Sequence, residues 1–143
     1  MIIGFSIRSI SAERKSIPRG RIDINSSPKI VSVSKSKSGF LRREKPLSIQ
    51  FEFITKYEPK VAEIKIEGNV FYYGKNMKKV IKTWEKEKKF PKEVDMEIKN
   101  FLFRKCLIIG INLSENMQLP PPLIFPRIIP KKEAPREELR YIG

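Results

Sequence analysis

The stretch from Val94 to Pro126 constrains the fold most, because a long apolar helical pattern runs directly into three consecutive prolines. Its main stripe recurs every three or four residues, as one face of an α-helix does. The stripe consists of Val94, Ile98, Leu102, Cys106, Ile109 and Leu113. The pattern predicts a helix that begins at Pro91 or Lys92 and covers a sheet. The helix is apolar nearly all round, which is more apolar surface than is needed to cover one face of a sheet. The surplus apolar surface must face a first helix, the proline tail or another protein.

Two segments upstream alternate apolar and polar residues, as strands do when one face of their sheet is buried. The apolar positions are Leu47, Ile49, Phe51 and Phe53 in the first segment and Ile64, Ile66, Val70 and Tyr72 in the second. Gly68 interrupts the second segment, which predicts a bulge or a close approach of another part of the chain. Together they predict an antiparallel sheet with one apolar face.

The N-terminal segments alternate less regularly. The apolar positions of the first are Ile3, Phe5, Ile7, Ile10 and Ala12. Their phase slips by one residue, which predicts a bulge near Ser9. The next pattern, residues 22–33, contains Pro28, which favours either one long kinked strand at a sheet edge or two short strands.

A short helix is predicted between the sheet and the long helix, because Met77, Val80, Ile81 and Trp84 have the spacing of one helix face. Lysines occupy most of the other positions. The predicted fold class is therefore α+β, a four-stranded antiparallel sheet covered on one face by two C-terminal helices. Residues 1–119 are predicted to form a single domain, and residues 120–143 an extended, proline-rich basic tail.

This order of elements resembles the fold of the SecB export chaperones. The resemblance lies in the paired segments IQFEFITKYEPKVAEIKIEGNVFYYG, the two helices and the segment NMQLPPPLIFPRI, and it spans residues 47–128. It implies a SecB-like fold, an oligomer and the holding of unfolded polypeptides on apolar grooves. Two features differ from that family: SecB chaperones are acidic, and their zinc-associated C-terminal tail is absent from this sequence.

The charge of the chain points to a different partner. Thirty Lys and Arg residues against 16 Asp and Glu give a net charge of +14, and residues 1–46 are the most basic part. Such a field attracts polyanions such as RNA. The predicted RNA contacts are Arg14, Lys15, Arg19, Arg21, Lys35, Lys37, Arg42, Arg43, Lys131, Lys132, Arg136 and Arg140. The main prediction is a non-enzymatic RNA-binding protein, ribosomal or ribosome-associated, with rRNA and ribosomal proteins as partners.

The alternative prediction is the SecB-like chaperone that the resemblance implies. Unfolded polypeptide would lie in an apolar groove lined by Phe71, Tyr73, Leu123 and Phe125. Salt separates the two hypotheses, because phosphate contacts weaken steeply with salt and apolar contacts do not. A SecB-like fold that binds RNA would satisfy both the pattern and the charge.

Several kinds of chemistry are excluded by residue type. The chain contains no histidine and one cysteine, which removes imidazole bases, His-based triads and zinc fingers. Cys106 lies in the apolar stripe and is predicted to be a buried, inert thiol. Glu63, Lys65 and Glu67 alternate along one strand, which favours cross-strand ion pairs over catalysis. We therefore expect no enzymatic activity, no cofactor and no metal.

The remaining expectations concern location. The longest nearly apolar run, residues 101–113, is too short to span a bilayer and contains Arg104 and Lys105. The N-terminus has no leading basic region of the kind found in signal peptides. A soluble, cytoplasmic protein is expected, and the composition rich in Lys, Ile and Glu indicates a thermophilic archaeal source.

Overall fold

A computed structural model of the chain describes residues 1–36 and 45–123. The elements in chain order are β1 (Ile2–Arg14), β2 (Asp23–Lys35), β3 (Leu47–Glu58), β4 (Ala62–Tyr72), α1 (Met77–Glu87) and α2 (Lys92–Asn116). Neighbouring strands are antiparallel, and their order across the sheet is β1-β4-β3-β2. Strands β3 and β4 are therefore central, whereas β1 and β2 are edges. The predicted fold class is confirmed.

The central strands alternate between buried and more exposed positions along most of their length. Successive side chains of a strand point to opposite faces of the sheet, so this alternation makes one face apolar. All eight apolar positions predicted for these strands are buried: Leu47, Ile49, Phe51, Phe53, Ile64, Ile66, Val70 and Tyr72. They form the core together with residues of both helices.

Helix α2 runs along this apolar face. Glu97, near its start, lies 3.4 Å from the N-terminal nitrogen of Met1. Just after its end, the carbonyl of Met117 accepts a hydrogen bond of 3.0 Å from the Arg14 guanidinium. Because Met1 and Arg14 flank the two ends of β1, the helix extends along the length of the sheet.

Aromatic side chains connect α2 to the strands. Phe101 packs edge-on against Phe5, and Phe103 packs edge-on against Phe53, each with ring centroids 5.4 Å apart. Such pairs contribute about 0.5–1.5 kcal/mol beyond the burial of their area. They hold one orientation of α2 on the sheet.

The buried stripe of α2 departs from the predicted one in its second half. The fully buried residues are Ile98, Leu102, Cys106, Gly110 and Ser114. Ile109 and Leu113 are half-buried and pack against the core, as Val94 does, so after Cys106 the most buried line of the helix lies beside the predicted stripe. The buried residues there are small because the segment after α2 folds back onto the helix.

The proline segment fills the space above those small residues. The hydroxyl of Tyr57 donates a hydrogen bond of 2.7 Å to the carbonyl of Pro120, and Leu119 is buried. A Cβ on Gly110 would lie 3.6 Å from Pro122 Cγ. Residues 119–122 thus cover part of the surplus apolar surface of α2. The division into a domain and a tail at residue 120 stays a prediction, because residues 124–143 lie outside the described part of the chain.

Strand β1 is irregular at two points. Its pairing with β4 shifts between Ile7 and Ser9, which confirms the predicted bulge and makes Arg8 the extra residue. A second shift lies between Ile2 and Gly4. Ile3 falls in that irregularity and is 39% exposed, so its predicted place on the core face was wrong. Ile10 is also exposed, because β1 is an edge strand.

Gly68 is required where β1 approaches β4. It pairs with Ile7 next to the bulge, and a Cβ at this position would overlap the carbonyl oxygen of Ser6. The close-approach prediction for Gly68 is therefore confirmed, and the bulge itself belongs to β1 rather than to β4.

Strand β2 is one long strand and not two short ones. It is 13 residues long, pairs with β3 from Asp23 to Lys35, and contains Pro28 opposite Phe53. Its register shifts between Ile30 and Ser32. The proline is tolerated because β2 is an edge strand, as predicted.

Helix α1 packs beside β2 on the same face of the sheet as α2. It fully buries Val80, while Met77, Ile81 and Trp84 are half-buried against the core. The helix ends at Glu87 and is capped by Lys88, whose backbone adopts the left-handed conformation and whose N–H donates to the carbonyl of Trp84. The predicted face of the short helix is confirmed.

Candidate functional site

The helix-free face of the sheet carries a network of ion pairs. Lys65 Nζ lies 3.0 Å from Glu67 and 3.6 Å from Glu52, and Arg8 lies 3.3 Å from Glu67. The hydrogen bond from Lys65 holds the pKa of Glu67 below its usual value, with Arg8 adding to the effect. Glu67 is therefore ionised at neutral pH, and Glu52 and Glu67 both take part in ion pairs with Lys65. They stabilise the pairing of strands, as the sequence predicted.

Residues capable of metal or nucleophilic chemistry are not assembled in the described part of the chain. Residues 1–36 and 45–123 contain no cluster of three or more His, Cys, Asp or Glu side chains that could hold a metal ion. Cys106 is fully buried, and burial raises the pKa of its thiol to about 12. The thiol therefore stays protonated at neutral pH, where it is a poor nucleophile.

The predicted RNA contacts fall into separate groups. Lys15, Arg19 and Arg21 lie in the connection between β1 and β2, at one end of the sheet, and all three are exposed. Lys35 ends β2 at the opposite end, roughly 40 Å away at the rise of an extended strand. These residues do not form one continuous basic surface.

Arg14 has a structural task. Its guanidinium donates to the carbonyl of Met117 at 3.0 Å and to Oε1 of Gln118 at 3.4 Å. Arg14 thereby connects the end of α2 to β1. Because its guanidinium is engaged in these hydrogen bonds, it is less available to bind a phosphate. The other predicted RNA contacts lie outside the described residues: Lys37, Arg42, Arg43, Lys131, Lys132, Arg136 and Arg140.

The three described residues of the predicted peptide groove, Phe71, Tyr73 and Leu123, are not all brought together. Phe71 and Tyr73 lie at the Met1 end of the sheet, where Phe71 pairs with Gly4 on the face without helices. Leu123 follows the proline segment that packs on the second half of α2, near the other end. Phe125 lies outside the described residues. A single groove lined by Phe71, Tyr73 and Leu123 is inconsistent with this placement.

The structure instead assembles a groove that the sequence did not predict. It lies between α1 and the adjoining ends of β2 and β3, and we call it the lysine groove. Its basic residues are Lys35, Lys45, Lys78, Lys79, Lys82 and Lys86. Lys35 and Lys45 are far along the chain from the four lysines of α1, so no sequence motif indicates the site. By themselves, the lysines of α1 have the pattern of an ordinary solvated helix face.

A second exposed feature lies on the outer side of α2. Ile111 lies four residues after Leu107 and three after Ile108, so it is a neighbour of both on the helix surface. Ile108 is 61% exposed, and the other two are half-buried. We call these residues the outer patch of α2. It is the part of the predicted apolar surplus that the proline segment leaves uncovered.

Comparison with known proteins identifies the fold. No protein-family model matches the chain, and no curated protein matches it. Among solved structures it is similar to a SecB-like chaperone of Mycobacterium tuberculosis in complex with a ChAD peptide from the HigA1 antitoxin. The identity is 12%, the match covers 91% of this chain and 89% of that chain, and the TM-score is 0.56.

The chain therefore has a SecB-like fold, as the sequence resemblance implied. At this identity the likeness establishes the architecture, and function has to be argued from the surfaces themselves. Neither described helix combines the length and the apolar character that a membrane span requires.

Proposed function

We propose that this protein is a SecB-like chaperone that holds segments of non-native polypeptide in the cytoplasm. The observation that carries the proposal is the extent of the fold likeness, which spans 91% of the chain. That neighbour is a chaperone seen in complex with a peptide. The proposal selects the chaperone alternative over the RNA-binding prediction, because a peptide-bound relative in fold supports a polypeptide ligand.

The outer patch of α2 supplies a surface suited to this task. Ile108 is 61% exposed, beside the half-buried Leu107 and Ile111, on a helix whose opposite side is packed on the sheet. Uncovered apolar side chains on a folded protein often mark an interaction site. Burial of apolar area contributes about 25 cal/mol per Å² without any need for a defined partner sequence. Such contacts suit the holding of many different unfolded segments.

The ionic groups of the described chain support a non-catalytic role. The carboxylates Glu52 and Glu67 are held in ion pairs, and the Cys106 thiol is buried and protonated. Neither arrangement provides an activated base or nucleophile. The paired carboxylates and the buried thiol therefore favour a protein that functions by binding rather than by catalysis.

The test is suppression of aggregation. A chemically unfolded client of near-neutral charge is diluted from denaturant with and without the protein, and light scattering is followed over time. We expect scattering to fall as the protein is added and Ile108→Asp to weaken the effect. Asn112→Asp introduces the same charge on an exposed position of the same helix and is the matched control.

Two results would contradict the proposal in different ways. If the wild-type protein leaves the scattering unchanged, the chaperone function is wrong. If Ile108→Asp alters the oligomeric state but leaves suppression intact, the outer patch is a surface for self-association and clients bind elsewhere. Multi-angle light scattering of both variants separates these cases.

RNA binding is the second candidate function, favoured by the net charge of +14. The exposed Lys15 and Arg19 would contact phosphates, together with the predicted residues outside the described ranges, and rRNA or ribosomal proteins would be the partners. Co-sedimentation with ribosomes at low and then high salt tests it, because phosphate contacts weaken steeply with salt. Absence of co-sedimentation at low salt would exclude this candidate.

A further inference from the structure

The lysine groove has charge of one sign on both of its sides. Four lysines of α1 form one side, and Lys35 and Lys45, at the ends of β2 and β3, stand at the other. All six are exposed. Glu87 is the one acidic residue among the described residues that line the groove. The local field therefore selects for an anionic partner.

These lysines have no ionic partner within the protein's described residues. Elsewhere in residues 1–36 and 45–123, basic groups do pair, as Lys65 does with Glu67 and Lys99 with Asp95. None of the six groove lysines takes part in an ion pair there. Lys82 is also four residues from both Lys78 and Lys86, a spacing at which like charges destabilise a helix. The arrangement costs stability, and a bound anion would relieve the repulsion.

The floor of the groove is apolar. Leu47 from β3 and Met77 and Ile81 from α1 line it between the lysines. Leu47 is buried, whereas Met77 and Ile81 are half-buried. A ligand that fits must therefore present negative charge at the sides and apolar groups at the centre.

The chemistry of the lining distinguishes polypeptide from nucleic acid. Lysine contacts phosphates and carboxylates alike, whereas arginine forks and aromatic rings that stack on bases are the features more specific to nucleic-acid sites. The described residues that line this groove include neither an arginine nor an aromatic residue. Flexible lysines above a Met and Ile floor match carboxylates interspersed with aliphatic side chains.

We propose that the lysine groove is a docking site for an acidic segment of polypeptide, in which Asp or Glu side chains alternate with aliphatic ones. The inference rests on the proposed chaperone function and names the class of client that this chain prefers. Carboxylates contact Lys78, Lys82 and the lysines across the groove. Aliphatic side chains lie on Met77 and Ile81.

The experiment uses the full chain and fluorescence anisotropy. The first probe is a dye-labelled peptide in which glutamate alternates with leucine. The second replaces every glutamate with glutamine, and the third is a single-stranded RNA with the same net charge as the first. The test variant is K78E/K82E, and the neutral K78Q/K82Q provides a second version if the first folds poorly. The matched control is K15E/R19E, which changes the net charge equally at the far end of the sheet.

We expect the acidic peptide to bind wild type and K15E/R19E equally. Binding to K78E/K82E should be weaker by roughly tenfold or more, because attractive contacts become repulsive. The neutral variant should show an intermediate loss, and the glutamine peptide should bind wild type at least about tenfold more weakly than the acidic one.

Three results would overturn the inference. Equal losses in K78E/K82E and K15E/R19E would mean that net charge alone attracts the peptide. Unchanged binding to both groove variants would mean that the peptide docks elsewhere. Tighter binding of the RNA than of the peptide, lost in the groove variants, would make nucleic acid the occupant.

The aggregation test separates this inference from the function on which it rests. If K78E/K82E suppresses aggregation of the near-neutral client as wild type does but loses the acidic peptide, both proposals stand. If peptide binding follows the expected pattern and no variant suppresses aggregation, the chaperone function is wrong while the acidic docking site remains.

Discussion

Helix α2 fully buries five residues and is fastened at both ends, whereas α1 fully buries Val80 and directs four lysines to a groove. Both helices lie on the same face of the same sheet. Contacts with Met1 and Arg14 hold the ends of α2. In α1, like charges four residues apart remain uncompensated among the described residues. The difference indicates that α2 contributes more to stability than α1, and the charge pattern of α1 is the basis of the docking site proposed above.

The largest effect is expected from Leu102→Ala. Leu102 belongs to α2 and is fully buried in the core, so truncation removes apolar contacts and leaves a cavity. The free energy of unfolding should fall by about 2–5 kcal/mol. Urea denaturation measures the change, with Lys105→Ala on the exposed side of α2 as control. A loss below about 1 kcal/mol would show that α2 is not packed on the sheet as described.

Gly68→Ala tests the sheet beneath the helices. Its Cβ would overlap the backbone of β1 at Ser6, so strands must shift, and we expect a loss of about 1–3 kcal/mol. Gly110→Ala is the matched control, because its Cβ would meet Pro122 at an ordinary distance of 3.6 Å. That control should gain about 0.5–1 kcal/mol from helix propensity. Equal effects in thermal unfolding would contradict the close approach of β1.

Tyr57→Phe tests how firmly the proline segment is fastened. The variant loses the hydrogen bond to the Pro120 carbonyl, and the free energy of unfolding should fall by about 0.5–1.5 kcal/mol. Limited proteolysis should show faster cleavage around residues 119–123. Unchanged stability and cleavage would mean that packing of Leu119 alone holds the segment.

Tyr57 should also contribute to the pH dependence of the free energy of unfolding. Burial raises the pKa of Tyr57 in the folded protein. Its phenol therefore favours folding at lower pH, and that contribution is lost as the pH rises above the ordinary tyrosine value of about 10. Tyr57→Phe should lose less stability than wild type over the same alkaline range. Parallel pH profiles would contradict the raised pKa.

The smallest effect has the opposite sign and sharpens the contrast between the helices. Lys82→Glu converts two like-charge pairs, with Lys78 and Lys86, into opposite-charge pairs. Each pair is worth about 0.2–0.5 kcal/mol, so the variant should be slightly more stable than wild type. Arg104→Glu, which has the uncharged Asn100 and Ile108 at four positions on either side, is the control. A loss of stability in Lys82→Glu would show that this lysine has a structural role.

Much of the fold was predictable because it follows from local periodicity. The core positions of β3 and β4, the bulge near Ser9 and the start of α2 were each read from a pattern within a short segment. The errors lie where distant segments meet. Ile109 and Leu113 are only half-buried against the core, and Gly110 and Ser114 are fully buried, because the proline segment returns over α2.

The candidate site was harder to predict for the same reason. Phe71, Tyr73 and Leu123 are all apolar and lie in segments that resemble SecB. The topology nevertheless separates Leu123 from the other two by most of the length of the sheet. The groove lysines, in contrast, come from three segments that are unremarkable on their own. Charge composition indicated an anionic partner without indicating where the charge would concentrate.

The sequence by itself determined the α+β class, the apolar face of the sheet and the excess of positive charge, since these depend on residue type and spacing along the chain. The tertiary structure decided which charges gather and which are neutralised. Packing α1 beside the ends of β2 and β3 brings Lys35 and Lys45 to the lysines of the helix, while the sheet pairs Lys65 with Glu67. Electrostatic energy depends on distance in space, and that distance is set when the chain folds.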